Sequence, residues 1–335
     1  MRQWIIADYG VENLRINSVS TPIPQPGEVL VKVEAVSLNY RDYLVVNSGM
    51  GMDLTLPIVP CSDLSGIIVD IGENVTRFKI GDRVISTNIA GWINGIAPDP
   101  KVAPSLGGPG PGVLSEYVSF SQDWFSSAPL SLTTLESSTL PCAALTAWIA
   151  VVERGKVQNG DFVVVQGTGG VSLFASQFAN AFGANVIITS SDNNKIQKAL
   201  SNGAKYGINR LINPYWDKDV MQITGGKGAN LILEMAGGEN FQKSLNSIAQ
   251  EGKIAIVGLL DSPQLNASVF RLFSTRSTLI GIGVGSRKSL EEMIRQIDIL
   301  KIRPVIDRVY KFDEVPEAFK HLGKGAFGKI VIQID

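Results

Sequence analysis

The chain has 335 residues, 44% of them hydrophobic and 34 of them glycine, which is long for one core and suits two packed domains with many tight turns. Its 30 basic and 31 acidic residues leave a net charge of -1, so there is no basic field for nucleic acid or for an anionic membrane surface. The longest apolar runs, such as residues 254–260, are strand-length, and Met1-Arg2-Gln3-Trp4 starts no signal or transit segment; a cytoplasmic protein with neither a nucleic-acid nor a membrane partner is expected.

The first third is β-rich. Residues 28–36 alternate as a strand after a turn-rich 22–27, residues 66–71 form a second strand closed by Gly72-Glu73-Asn74, and residues 78–84 read as a turn into a third. Short strands separated by Gly and Pro suggest a small barrel. Residues 88–112, rich in Gly and Pro, are expected to be a long surface loop. The period then changes. Residues 162–166 form an apolar, β-branched run suited to a buried parallel strand, and a helix follows over about 173–182. Further strands are expected at 186–189, 231–234, 254–258 and 278–283, with a helix at 195–202. The tail reads as helix 290–300, strand 306–310, helix 315–322 and strand 329–334. Strands alternating with helices imply crossovers and a doubly wound parallel sheet, so the fold class is α/β.

Between the run 162–166 and the next helix lies Gln166-Gly167-Thr168-Gly169-Gly170-Val171-Ser172. The context, after a strand and before a helix, is what a dinucleotide loop needs. Gly167 permits the tight turn, and Thr168, Gly169, Gly170 and Val171 bring backbone N–H groups and a helix N-terminus toward a pyrophosphate. Ser172 stands where the pattern usually has a third glycine, still small enough for close packing. An NAD site usually places Asp or Glu about 20 residues on, at the end of the second strand, to hold the ribose 2′-hydroxyl. This chain has Thr189-Ser190-Ser191 there, and Asp192 falls in the loop beyond. Ser190 and Ser191 can hydrogen-bond a 2′-phosphate, and Lys195 and Arg210 can add charge, which favours NADPH (NADP+).

These residues carry a family resemblance. The stretch 29–42, Asp63-Leu64-Ser65-Gly66 with Gly72, the segment 78–84, Leu140-Pro141-Cys142-Ala143-Ala144-Leu145-Thr146-Ala147-Trp148 and the loop 166–172 together resemble the medium-chain dehydrogenase/reductase superfamily, over essentially the whole chain. The resemblance implies a Rossmann dinucleotide-binding domain at 126–287 and a GroES-like β-barrel domain at 1–125 and 288–335, with a cleft between them and a C-terminal tail that rejoins the barrel. Within the superfamily the chain resembles the zinc-free, quinone-oxidoreductase-like branch. Where zinc alcohol dehydrogenases have a cysteine ligand stands Asn39, and Ser62 replaces their histidine; Cys142 matches the third ligand position without partners, and no four-cysteine lobe lies between Asn88 and Gly112. With two cysteines and one histidine in the chain, no catalytic or structural zinc is expected. Cys142 is then an ordinary buried thiol.

Without a metal to polarise a carbonyl, a conjugated acceptor is the easier substrate. A quinone or α,β-unsaturated carbonyl takes hydride at carbon while its oxygen becomes an enolate-like anion that needs donors and a proton. Asn39-Tyr40-Arg41-Asp42-Tyr43, expected as a loop after a strand, supplies such groups: Asn39 and Tyr40 as orienting donors, Tyr43 as a proton donor, and Arg41 either as an electrophile or as a brace paired with Asp42. The resemblance places Thr146 near the nicotinamide ribose. Ala236, the run Gly258-Leu259-Leu260 and the run Ile282-Gly283-Val284 follow late strands, where backbone groups either hold the carboxamide or merely end the strands. Lys329, after Gly328, either approaches the pyrophosphate or starts an exposed strand. The substrate, a small hydrophobic molecule, is decided by residues 44–58, 88–112 and 262–276. Strand 278–283 resembles the family's subunit-pairing edge, so a homodimer is expected. Two other readings stay open: an aldehyde or ketone reductase, and a cofactor-binding protein with little turnover.

Overall fold

The computed structural model describes all 335 residues. The chain separates into two compact units, residues 1–145 with 284–335, and residues 146–283. The first unit reaches about 20 residues past position 125 because residues 126–145 are tied to the β-rich part: Ser127 pairs with Val84, and the Cys142 N–H donates to Asp63 at 3.1 Å.

The first unit opens with β1 (Arg2–Ile6) and β2 (Leu14–Ser18), paired antiparallel. β3 (Glu28–Leu38) follows, then helix α1 (Tyr40–Ser48), β4 (Asp63–Ile71), β5 (Arg83–Ser86), β6 (Tyr117–Ser121), β7 (Phe125–Ser127) and the short α2 (Thr134–Ser137). Helix α1 corrects the expectation of a loop over 39–43. Asn39 takes extended angles (φ -122°, ψ 154°) as the N-cap, and the Asp42 carboxylate accepts its N–H at 2.8 Å, so the polar run is a helix start. The chain crosses to the second unit inside the four-residue α3 (Leu145–Trp148).

The second unit runs β8 (Phe162–Gln166), α4 (Gly170–Ala181), β9 (Asn185–Ser190), α5 (Asn193–Leu200), β10 (Tyr206–Asn209), α6 (Trp216–Ile223), β11 (Ala229–Glu234), α7 (Asn240–Ser247), β12 (Ile248–Ile256), α8 (Val269–Thr275) and β13 (Thr278–Gly281). Every pairing is parallel and the order is β10-β9-β8-β11-β12-β13, the doubly wound arrangement with its switch point between β8 and β11. Val163, Val164 and Val165 are fully buried, as a central parallel strand requires. Val164, Ile187, Trp216, Ile232, Phe241 and Ile254 anchor one core of this unit. β13 ends at Gly281, short of the expected Gly283, and it is the outer strand of the sheet.

The chain returns to the first unit with α9 (Arg287–Leu300), β14 (Ile306–Lys311), α10 (Val315–Lys324) and β15 (Lys329–Gln333). β15 pairs antiparallel with residues 35–38 of β3, while β6 pairs with residues 28–32 of the same strand. β3 is therefore the spine of a seven-stranded, mostly antiparallel sheet, and its C-terminal end is covered by the last strand of the chain.

Candidate active site

The turn after β8 is shaped for close approach. Gly167 has φ +79°, a left-handed conformation that costs other residues energy, and its N–H donates to Thr189 O at 2.8 Å. Gly169 is the N-cap of the 12-residue α4 and carries no capping side chain. A methyl group built on Gly169 would meet nothing within 4 Å, so packing inside the protein does not demand the glycine there. What the glycine does is leave the first N–H groups and the positive end of α4 open to an anion. Thr168 is buried, and Ser172 Oγ donates to Gln166 O at 2.8 Å, tying the helix to the strand end. The cradle suits a pyrophosphate.

At the end of β9, Ser190 is buried, Ser191 exposed and Lys195 half-buried. Asn209 pairs in register with Ser190, which puts exposed Arg210 one residue beyond the same edge; the Arg210 N–H donates to Ser190 O at 2.9 Å. Asp192, the nearest acid, is the N-cap of α5. Its carboxylate accepts from Asn194 N at 2.7 Å and Lys195 N at 3.2 Å, so it serves the helix.

The sequence did not point to the role of Glu234. It is fully buried at the end of β11 and takes donors from Gln166 Nε2 at 3.0 Å, Asn240 Nδ2 at 3.0 Å, Ala236 N at 3.0 Å, Gly237 N at 3.1 Å and Ser244 Oγ. Gln166 Oε1 in turn accepts from Met235 N at 3.1 Å and Asn240 Nδ2 at 3.1 Å. This network locks the two loops at the switch point to each other. Ala236 lies in one of them. Gly258 N donates to Glu234 O at 3.2 Å, with Leu259 and Leu260 exposed just after β12, and Ile282 N donates to Ile256 O at 2.9 Å. Gly283 is exposed and Val284 half-buried where the chain leaves the sheet. Thr146, 7% exposed, opens the second unit.

In the first unit, the start of α1 is a buried polar cluster. Asn39 is 9% exposed, and its Oδ1 accepts from Lys329 Nζ at 2.5 Å. Lys329 is 2% exposed and also donates to Leu38 O at 2.7 Å. The expectation of an exposed strand start is corrected: pairing of β15 with β3 draws the Lys329 side chain inward to the Leu38 carbonyl at the end of β3 and to the Asn39 amide oxygen. Arg41 binds Asp42 at 3.2 Å, Leu106 O at 2.9 Å and Ser105 Oγ at 3.2 Å, bracing the loop 88–112. Tyr40 is 44% exposed. Tyr43 stacks on it with centroids 5.8 Å apart, and a side chain on Gly323 of α10 would come within 2.9 Å of the Tyr43 hydroxyl. Packing against α10 therefore fixes the Tyr43 ring.

Burial dominates the electrostatics. It pushes the Asp42 carboxyl up to about 6, with Asp63 adding and Arg41, the Asn39 N–H and Lys329 opposing. Burial, then Asp63, pushes the Cys142 thiol up to about 12, and the same cause raises Cys61. Asp63 accepts from Ser62 Oγ at 2.6 Å and from Cys142 N, while Ser62 Oγ accepts from Asn88 Nδ2 at 3.0 Å. An amide oxygen facing an ammonium and a carboxylate already bound by two donors make a poor donor set for zinc. No group of three His, Cys, Asp or Glu side chains is placed to hold a metal ion. No helix is long and apolar enough to cross a membrane.

Comparison with known proteins agrees with this architecture. Residues 25–130 match the alcohol dehydrogenase GroES-like domain, and residues 170–298 match the zinc-binding dehydrogenase family. A zinc-type alcohol dehydrogenase-like protein of Schizosaccharomyces pombe is 37% identical over 93% of both chains. Human quinone oxidoreductase is 28% identical over 96% of this chain and 94% of its own length. Among solved structures, a Sinorhizobium meliloti 1021 protein provisionally designated an alcohol dehydrogenase superposes with a TM-score of 0.95 at 47% identity, covering 99% of this chain and 98% of that one. An NAD-dependent alcohol dehydrogenase superposes with a TM-score of 0.91 at 30% identity, over the whole of both chains.

Proposed function

The chain belongs to the medium-chain dehydrogenase/reductase superfamily and is an oxidoreductase of that family; on this premise we propose that it is an NADPH-dependent reductase of quinones or α,β-unsaturated carbonyls that works without zinc. The observation that carries the proposal is the cluster at the start of α1, which presents an amide, the buried Lys329 and the half-buried Arg41 where a metal would need thiolate and imidazole. NADPH supplies hydride when bound. The loop from Gly167 to Val171 and the open start of α4 hold its pyrophosphate. Ser190, Ser191, Lys195 and Arg210 bind the 2′-phosphate, a reading supported by the commitment of Asp192 to the start of α5. Thr146, Ala236 and the backbone at 258–260 and 282–284 orient the nicotinamide end. Asn39 and Tyr40 donate to the acceptor's oxygen as charge gathers there. Arg41 is assigned to bracing the loop 88–112.

The outer position of β13, with Leu279 37% exposed and Phe270 and Phe273 exposed on α8, supports a homodimer that continues the sheet in the cytoplasm. A second reading, alcohol oxidation or aldehyde reduction with NAD(H), is favoured by the names of the relatives, one of them NAD-dependent. A screen of NADPH and NADH oxidation over quinones, enones and aldehydes decides between them, with metal analysis of protein purified without chelator. Turnover of quinone or enone with NADPH and no stoichiometric metal is expected. Preference for NADH with aldehydes, or one zinc per chain, would overturn the proposal.

A further inference from the structure

Lys329 makes two hydrogen bonds, and both go to neutral oxygens, Leu38 O and Asn39 Oδ1. Neither buried carboxylate nearby receives it. Asp42 is occupied by Arg41 and the Asn39 N–H, and Asp63 by Ser62 Oγ and the Cys142 N–H. Charge compensation alone therefore does not account for where the ammonium points.

An ammonium donates and cannot accept. It tolerates only one of the two ways round that the Asn39 amide can sit: oxygen toward Lys329, nitrogen away. The Asn39 Nδ2 atom is buried and has no hydrogen-bond partner. The backbone of Asn39 is held as well, as the N-cap of α1 with its N–H bound to Asp42. Side chain and main chain are both pinned, and what is left over is one buried donor pair without an acceptor. Buried donors in folded proteins are nearly always paired, so an unpaired one that its neighbour forbids to flip is a donor kept for something else.

We propose that Lys329 is a positioning residue that fixes the polarity of the Asn39 amide, so that Nδ2 donates to a carbonyl oxygen brought by a ligand. The inference rests on reading the chain as a nicotinamide-dependent reductase. Two oxygens have the required chemistry: that of the acceptor being reduced, and the carboxamide oxygen of the nicotinamide.

Three variants test it. Asn39→Asp keeps the shape and an oxygen for Lys329 but turns the donor into an acceptor. Lys329→Met removes the ammonium, freeing the amide to flip. Lys329→Arg keeps a group that only donates. Each is assayed for kcat and KM with 1,4-benzoquinone and with 2-cyclohexenone, and for NADPH Kd by fluorescence titration. Asn39→Asp and Lys329→Met are each expected to lower kcat by about tenfold or more, with Lys329→Arg recovering part of the loss. If the oxygen belongs to the acceptor, the NADPH Kd stays within about threefold of wild type; if it belongs to the carboxamide, Kd rises about tenfold in the same two variants. A role confined to holding the fold would lower the melting temperature of Lys329→Met and leave the kcat of a fully folded Asn39→Asp unchanged. A folded Asn39→Asp whose kcat and Kd both match wild type overturns the proposal. Absence of turnover in the wild type removes the reductase reading, and the acceptor oxygen with it; an NADPH Kd raised about tenfold in Asn39→Asp would then still support donation to the carboxamide, and an unchanged Kd would overturn it.

Discussion

At the end of β8 the chain turns into α4 through Gly167, Thr168 and Gly169; at the end of β3 it turns into α1 through Asn39 alone. Both are strand-to-helix junctions that leave unpaired N–H groups and a positive dipole end. The second unit leaves its helix start bare. The first fills its own: Asp42 in the first turn takes the Asn39 N–H, and Arg41 and Lys329 stand against the carboxylate and the amide. A helix start that satisfies itself cannot take a phosphate, but it can hold a neutral side chain in one orientation. On the proposed function, the same local geometry would serve binding in one unit and orientation in the other.

Breaking the self-satisfied junction has the largest expected effect, and it is read in pH. Asp42 is raised from 3.8 to about 6 in the folded chain, so between those values the folded state keeps a proton that the unfolded state has lost. Stability from this group is therefore present below about pH 4 and falls as pH rises through about 6, by about 3 kcal/mol in all. Asp42→Asn has no such titration. Relative to wild type it should gain about 3 kcal/mol between pH 4 and pH 7 in urea unfolding, and parallel pH profiles would show that Asp42 is ionised without penalty. Next comes filling the bare junction: Gly169→Asp supplies the missing N-cap, leaving the melting temperature unchanged or slightly higher, yet puts a carboxylate where phosphate is expected. The NADPH Kd should rise about 100-fold in fluorescence titration; undiminished binding would place the dinucleotide elsewhere. A smaller change sharpens which dinucleotide that junction takes. Ser190→Asp should cut kcat/KM for NADPH about tenfold while sparing NADH, and equal losses with both would remove Ser190 from 2′-phosphate recognition. Smallest is Gly167→Ala, which forces a Cβ into φ +79° without a clash nearby and should cost about 1 kcal/mol, seen as a fall in melting temperature.

The sequence made the bare junction legible and the filled one obscure. Gly167 to Gly170 sits between a run of buried valines and an apolar helix, and both neighbours announce themselves by period. Asn39-Tyr40-Arg41-Asp42 has no apolar period of its own, and its helix start rests on an Asn with an acid three residues on, a pattern that also reads as a turn. The strands were legible by alternation or by apolar runs, with ends off by a few residues, as for β12, which begins at Ile248 ahead of the expected 254. Helices α6, α7 and α8 passed unread because each is only seven or eight residues long, too short for an apolar period to stand out. Lys329 and Glu234 could not be placed from sequence. A lysine after a glycine looks exposed until β15 is laid against β3, and a glutamate closing a strand looks solvated until Gln166, Asn240 and Ser244 converge on it.

The first unit is assembled from two stretches of chain separated by the whole of the second. During synthesis residues 146–283 leave the ribosome as one continuous piece and can fold at once, while the β3 edge waits for β15. A nascent chain halted between the two would hold a complete parallel sheet, while the Asn39 amide, without Lys329, would still be free to rotate. Maturation of the chain is then ordered in time, with the parallel sheet able to close before the β3 edge does.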